Sequence, residues 1–255
     1  MTGGRHIAEI AVSPVQGFAL LHPEAVVLGP RGVVENRRFC LIDGTGARLR
    51  SSTTAWTSRV RAEYDAELER LAVSFPDGDT VEGTAVAGGP RVRFDKRGWV
   101  VEGRILEGPW SEGLSNLAGH PVQLVRTTEP GTFREMPVTI LGRASLARLE
   151  RETGAPLDSN RFRMLFLLDG CEEHEEDEWS GRTLRVGGST IRVDGPVPRC
   201  AVITRDPATG IADVDPLRAL AGYRQAMTDG AVPFGVYATV ETGGPVCVGD
   251  VVEVL

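Results

Sequence analysis

The sequence predicts a mainly β protein of α+β type, with an N-terminal β domain over residues 1–95 packed on a C-terminal β-barrel over residues 96–255. Short apolar runs separated by Gly, Pro and Asp turn signals recur along the whole chain. Stretches with a 3.6-residue apolar period are few and short, so helices are minor elements. A length of 255 residues with 41% hydrophobic and 25% charged composition is enough for a real core without covalent staples.

The elements follow in order. "HIAEIAVSPV" alternates and is ended by Pro14. "AVVLGPRGVVENRRFCLIDGTGARLR" alternates apolar stretches with Gly-Pro, Asp-Gly and Thr-Gly turns, and Leu71–Phe75 is a strand before a Pro-Asp-Gly turn. Ser111 is placed to cap a short helix reaching Ala118, stopped by Gly119, and "PVQLV" follows as a strand. "SLARLERETG" carries Leu146 and Leu149 on one face, with Ser145 as N-cap and Gly154 as C-cap. "RFRMLFLLDG" is a strongly apolar run, and "TLRVGGSTIRVDG" is a hairpin around Gly-Gly-Ser. "DPLRALAGYRQA" is an amphipathic helix with Pro216 in its first turn. The C-terminal stretch from Pro233 is two strands around a Gly-Gly-Pro turn. A mainly β second half with two or three helices predicts a closed or nearly closed barrel.

Composition removes several function classes. A net charge of −7 argues against a nucleic-acid partner and against attachment to an anionic membrane, since both need a basic surplus. Lys96 is the sole lysine, so the abundance of arginine reads as a compositional skew. No apolar run approaches the roughly 18 residues of a membrane span, and "MTGGRHIAEI" lacks a signal-peptide core. Cys40, Cys171, Cys200 and Cys247 are scattered without a CxxC pair, which suits a reducing cytoplasm and no disulfide framework or zinc site.

Few segments offer chemistry. "CEEHEEDEW", residues 171–179, places His174 among carboxylates, but charges this dense favour a solvated loop over a metal site. His6, His22 and His120 have no partners at ligand spacing, and no phosphate loop or GxSxG elbow occurs. Cys40 and Cys247 sit on strand-like runs where a thiol packs as a small apolar group. Cys200 differs: "GPVPRC" fixes the backbone ahead of it, and the cation of Arg199 beside it favours the thiolate, which is nucleophile and soft-metal ligand alike.

Taken together, "RFRMLFLLDG", "LRVGGSTIRV", "PVPRCAVITRDPATG", "DPLRALAGYR" and "GPVCVGDVVEV" resemble the MOSC domain, and the segment from "IAVSPVQGFALL" to "FCLIDGTGARL" is similar to the β-barrel domain that precedes it in the family. Within that family the likeness is to the amidoxime-reducing branch. The resemblance implies a molybdenum cofactor (molybdopterin), with Cys200 as metal ligand and catalytic residue. It implies Arg38, Ser145, Arg163 and Thr204 as cofactor-binding residues, with Asp206 shaping the turn. It also implies reduction of small N-hydroxylated substrates with electrons from a separate protein. The site is expected in the cleft between the two β parts, with Cys200 at its floor.

Three positions depart from the family pattern. The lysine and serine of the N-terminal segment are Gln16 and Gly17, and the amide after "RFR" is replaced by Leu165. Three readings stay open at this point. The cofactor sits in a rearranged cage using arginines such as Arg37, Arg50 and Arg161. Alternatively, Cys200 works without cofactor as a nucleophile or persulfide carrier, or the chain is a non-catalytic binding module.

Overall fold

The alternating runs at the two ends of the chain come together in one seven-stranded sheet. Its order is His6–Ile10, Phe166–Asp169, Val138–Gly142, Pro233–Thr242, Ser189–Pro198, Thr183–Val186 and Val252–Val254. The computed structural model describes residues 4–96, 99–128 and 136–255. Sheet neighbours run antiparallel except Val138–Gly142 beside Phe166–Asp169, a parallel pair that requires a crossover. That crossover contains a helix, Arg143–Thr153. The outer strands then meet: His6 bridges Val251, Ile7 N–H donates to Asp250 O at 2.9 Å, and Val252 N–H donates to Arg5 O at 2.8 Å. These bonds bring the outer strands together and nearly close the sheet into a barrel. Its interior holds Ile7, Ile140, Phe166, Leu168, Ile191 and Val236, each at 1% exposure or less.

A second layer has its own core. Phe39–Asp43, Val122–Thr127, Trp99–Ile105 and Arg91–Lys96 form a four-stranded sheet, and Arg61–Asp65, Arg70–Ser74 and Thr80–Thr84 form a three-stranded one. Phe18, Phe39, Leu71, Leu114 and Leu124 fill the space between. Trp110 opens the helix Trp110–Ala118 and donates from Nε1 to Leu71 O at 3.1 Å, anchoring helix to sheet.

The two layers interleave along the chain. A border at 95/96 falls inside the strand Arg91–Lys96, whose partner is Trp99–Ile105. Conversely, His6–Ile10 is a barrel strand, and Ala25–Gly29 pairs with Gly244–Cys247. The N-terminal segment thus belongs to the C-terminal barrel, because its apolar face completes that core.

The hairpin at Gly187 and the left-handed stops at Gly119 and Gly154 lie where the sequence places them. The helix starts differ. Pro109 and Gly142 hold the N-cap positions, so Ser111 and Ser145 lie inside their helices. Asp215 caps Pro216–Tyr223 by accepting from Arg218 N–H, and the helix ends before Arg224. The C-terminal stretch makes three strands rather than two. The acidic run is not a fully solvated loop, because it forms the turn Glu175–Trp179 with Glu176 and Trp179 buried. Among the described residues no helix is long and apolar enough to cross a membrane.

Candidate functional site

Two short turns of the barrel layer and one of the second layer line an open cleft. The first is Ser159–Phe162, capped by the Asp158 carboxylate, which accepts from Asn160 N–H at 2.8 Å. It ends on Arg163 in the left-handed region, φ 51°. Asn160, Arg161 and Arg163 of this segment line the cleft. The second turn, Ala201–Thr204, follows the strand that ends at Pro198, with Cys200 as its extended N-cap and Arg205 as its C-cap. Val202, Arg205 and Asp206 line the cleft from this side.

Asp206 accepts from Thr209 N–H and Thr209 Oγ1–H at 2.8 and 2.9 Å, an Asx turn that closes on Gly210. A Cβ at Gly210 would stand 2.6 Å from Ala55 O, and the residue is left-handed (φ +73°), so glycine lets this turn rest on the second layer. There the turn Ala55–Arg59 and its approach contribute Ser51, Thr54, Thr57 and Ser58. Gly17 completes the wall. Its φ is +94°, and a Cβ there would meet Ser51 Oγ at 2.9 Å and Thr57 Oγ1 at 3.2 Å.

Positive charge gathers at the cleft. Arg161 is 3% exposed at its side chain and makes a two-pronged bond to Asp213, at 2.7 and 2.5 Å, with Asp206 at 3.7 Å. The Arg161 bond holds the Asp213 carboxyl below its usual range. Arg163 donates to Phe18 O at 2.7 Å, and burial with the nearby Arg37 cation pushes its pKa down to about 9. Arg37 is itself lowered to about 10 by burial. The two cations are close enough for Arg37 to disfavour the charge on Arg163, which an anionic ligand at Arg163 would favour.

The residues expected from the sequence separate. Arg163 lines the cleft, whereas Cys200 is exposed and outside the cleft lining, at the cap of the turn that supplies Val202, rather than at its floor. Arg38 lies away from it, paired with Glu35 at 3.3 Å and donating to Thr128 O at 3.4 Å. Thr204 spends its hydroxyl proton on Ala201 O at 2.8 Å, within its own turn. Ser145 is fully buried elsewhere, donating to Glu176 Oε2 at 2.9 Å and accepting from His174 N–H at 2.8 Å. It joins the crossover helix to the acidic run and is closed to any ligand in the cleft. Leu165 packs in the barrel interior, because its place on the strand approach points its side chain there.

Arg199 is a strut. Its guanidinium donates to Phe162 O and Phe234 O, each at 2.9 Å, and lies over both rings, at 5.6 and 6.0 Å. Burial lowers its pKa to about 9, with Cys200 opposing the shift. It holds the two segments that carry Cys200 and Arg163 together.

Sequence reading misses Ser51, Thr57, Asn160 and Arg205. Ser51 and Thr57 converge only when Gly17 folds against them. Arg205 is within the motif that carries Cys200, and its distance of five residues from that thiol is the one signal available.

This donor set fits a phosphate-bearing group such as a pterin cofactor. It offers guanidinium groups in excess of carboxylates, several hydroxyls and the Asn160 amide, whose Oδ1 is buried without a partner. No group of three or more His, Cys, Asp or Glu among the described residues is arranged to hold a metal ion by itself.

The MOSC domain profile matches residues 89–253. The chain is 36% identical over 121 residues to mitochondrial amidoxime reducing component 2 of Bos taurus, covering 45% of this chain and 35% of that protein. It is 25% identical over 247 residues to a molybdenum cofactor sulfurase of Anopheles gambiae, covering 84% of this chain and 31% of that protein. The chain thus spans about a third of the length of these relatives. Among solved structures, the YUAD protein from Bacillus subtilis is similar over 99% of this chain and 96% of its own, at 10% identity and a TM-score of 0.49. With a family match over most of its length, the chain belongs to the MOSC domain family.

Proposed function

We propose that the cleft binds the molybdenum cofactor, with Cys200 as the protein ligand of the metal, and that the loaded protein reduces small N-hydroxylated compounds using electrons from a separate redox protein. The observation that carries this is an exposed thiol two residues from a cleft whose lining has three arginines, Arg161, Arg163 and Arg205, and one carboxylate, Asp206. When bound, the cofactor supplies two-electron redox chemistry at its metal. The rest falls to the chain. Arg163 braces the cleft wall through its bond to Phe18 O and adds positive charge to the lining. Ser51, Thr57 and Asn160 offer hydroxyl and amide oxygens to N–H groups of a heterocycle. Cys200, on an extended N-cap, presents its sulfur from a backbone that Arg199 braces.

The test is molybdenum per chain, by elemental mass spectrometry, on protein made in a host that synthesises the cofactor, beside Cys200→Ser. Near-stoichiometric metal that disappears in the variant supports the reading, and no metal in either protein overturns it.

The exposure of Cys200 favours a second reading, in which the thiol carries sulfur as a persulfide without resident metal. Metal-free protein that alkylates rapidly at Cys200 at neutral pH, and accepts sulfur from a persulfide donor, would select it.

A further inference from the structure

Three buried polar atoms without a hydrogen-bond partner belong to residues lining the cleft: Arg205 Nη1, Arg161 Nε and Asn160 Oδ1. The charges behind them differ. Arg161 is answered by Asp213 and Asp206, and Arg163 gives one of its nitrogens to Phe18 O. Arg205 has no ion pair among the described residues. Its backbone is nonetheless held: its N–H donates to Val202 O at 3.2 Å, and it pairs with Ala212 in an isolated antiparallel bridge. The carboxylate next in the chain, Asp206, is directed to Thr209 and Arg161. A guanidinium nitrogen withheld from water with no acceptor is unfavourable unless a ligand supplies one.

We infer that Arg205 is the phosphate-receiving group of this cleft, taking the anionic end of a phosphate or pyrophosphate ester. It supplies the charge that the N-terminal segment does not, since Gln16 stands outside the cleft lining and is uncharged. A forked guanidinium suits this role better than a point charge, because it offers two parallel N–H bonds to one phosphate. The inference deepens the cofactor reading and rests on it for the identity of the ligand, but not for the anion chemistry.

The experiment uses inorganic pyrophosphate as probe, with titration calorimetry on the full chain at low salt. The wild type is expected to bind, Arg205→Gln to lose about tenfold in affinity, equivalent to about 1.4 kcal/mol, and Arg205→Lys to fall between them. Arg192→Gln, an exposed arginine on the barrel, is expected to bind like wild type. Circular dichroism melting of each variant without pyrophosphate checks that it is folded, and Arg205→Lys carries the comparison if the Gln variant is not. No binding by the wild type, or equal binding by wild type and both Arg205 variants, overturns the inference. Pterin content of the same wild-type preparation separates it from the cofactor reading. Pyrophosphate binding through Arg205 in a chain with no pterin leaves the phosphate receptor standing and sinks the cofactor. Pterin present with pyrophosphate affinity unmoved by Arg205 variants does the reverse.

Discussion

Arg163 Nη2 donates to the main-chain carbonyl of Phe18 across 2.7 Å, joining the barrel layer to the core of the second layer at the cleft wall. Phe18 is fully buried, so its carbonyl has little access to water as a substitute donor. Arg163→Ala is therefore expected to lower stability by about 1–3 kcal/mol, the cost of an unsatisfied buried acceptor. Removing one of two adjacent buried cations offsets part of that loss. Urea unfolding measures it, and an unchanged midpoint would show that the layers do not depend on this bond.

Gly17 stands where the family pattern has a serine, and restoring that serine is expected to harm the protein. The residue is left-handed at φ +94°, and a Cβ would press on Ser51 Oγ and Thr57 Oγ1. Gly17→Ser should cost about 1–2 kcal/mol from backbone strain alone. It should also narrow the cleft and weaken ligand binding. Thermal melting with and without pyrophosphate reads both effects, and a variant as stable as wild type that binds more tightly would show that Ser51 and Thr57 leave room for a side chain at position 17.

The barrel was legible in the sequence because alternating apolar residues, turn glycines and helix stops are local signals. Gly119, Gly154 and the Gly187 turn lie where such signals put them. Layer membership was not legible. Nothing local tells His6–Ile10 to pair with Phe166–Asp169 across the length of the chain, since any strand with the same period would present a similar face. The site divides the same way. Cys200 and Arg163 are found through motifs, but Ser145 looks like a donor in sequence and is consumed by Glu176 and His174 in the fold. Charge pairing is equally invisible: Arg161 and Arg205 are alike as letters, and Asp213 and Asp206 distinguish them by pairing with Arg161.

The Arg161–Asp213 pair is asymmetric in burial, which predicts asymmetric mutants. Arg161 is 3% exposed at its side chain and Asp213 is 40% exposed. Removing the carboxylate strands a buried cation with only Asp206 nearby, whereas removing the cation leaves an acid that can turn to water. Asp213→Asn is expected to destabilise by about 2 kcal/mol and Arg161→Met by less. Because Arg161 depresses the Asp213 carboxyl, this stability is present above the unfolded value of 3.8 and is lost as pH falls through the lower folded value. Denaturant midpoints of both variants settle the order, and equal losses would mean that Asp213 is not the main counter-charge.

His174 titrates in a setting of opposing charges. Its ring lies 5.6 Å from that of Tyr223 and 6.1 Å from that of Phe234, with both ring nitrogens buried and unpartnered. Burial lowers its pKa below 6.5, aided by Arg224 and Arg148 and opposed by Asp177 and Glu173. The imidazole is therefore neutral at pH 7, and below pH 6.5 the unfolded chain takes up the proton first. Stability from this group should be present above pH 6.5 and decline as pH falls through the folded value. Glu176 works in the opposite direction, because burial raises its pKa and the folded state then binds the proton more readily. His174→Asn tolerates the left-handed backbone at this position, φ 60°, and removes one titration while leaving the other. The difference between wild type and variant, followed by urea unfolding from about pH 7.5 to about pH 5, should shrink as pH falls. A constant difference would mean that the imidazole stays neutral, or stays equally charged, in both states.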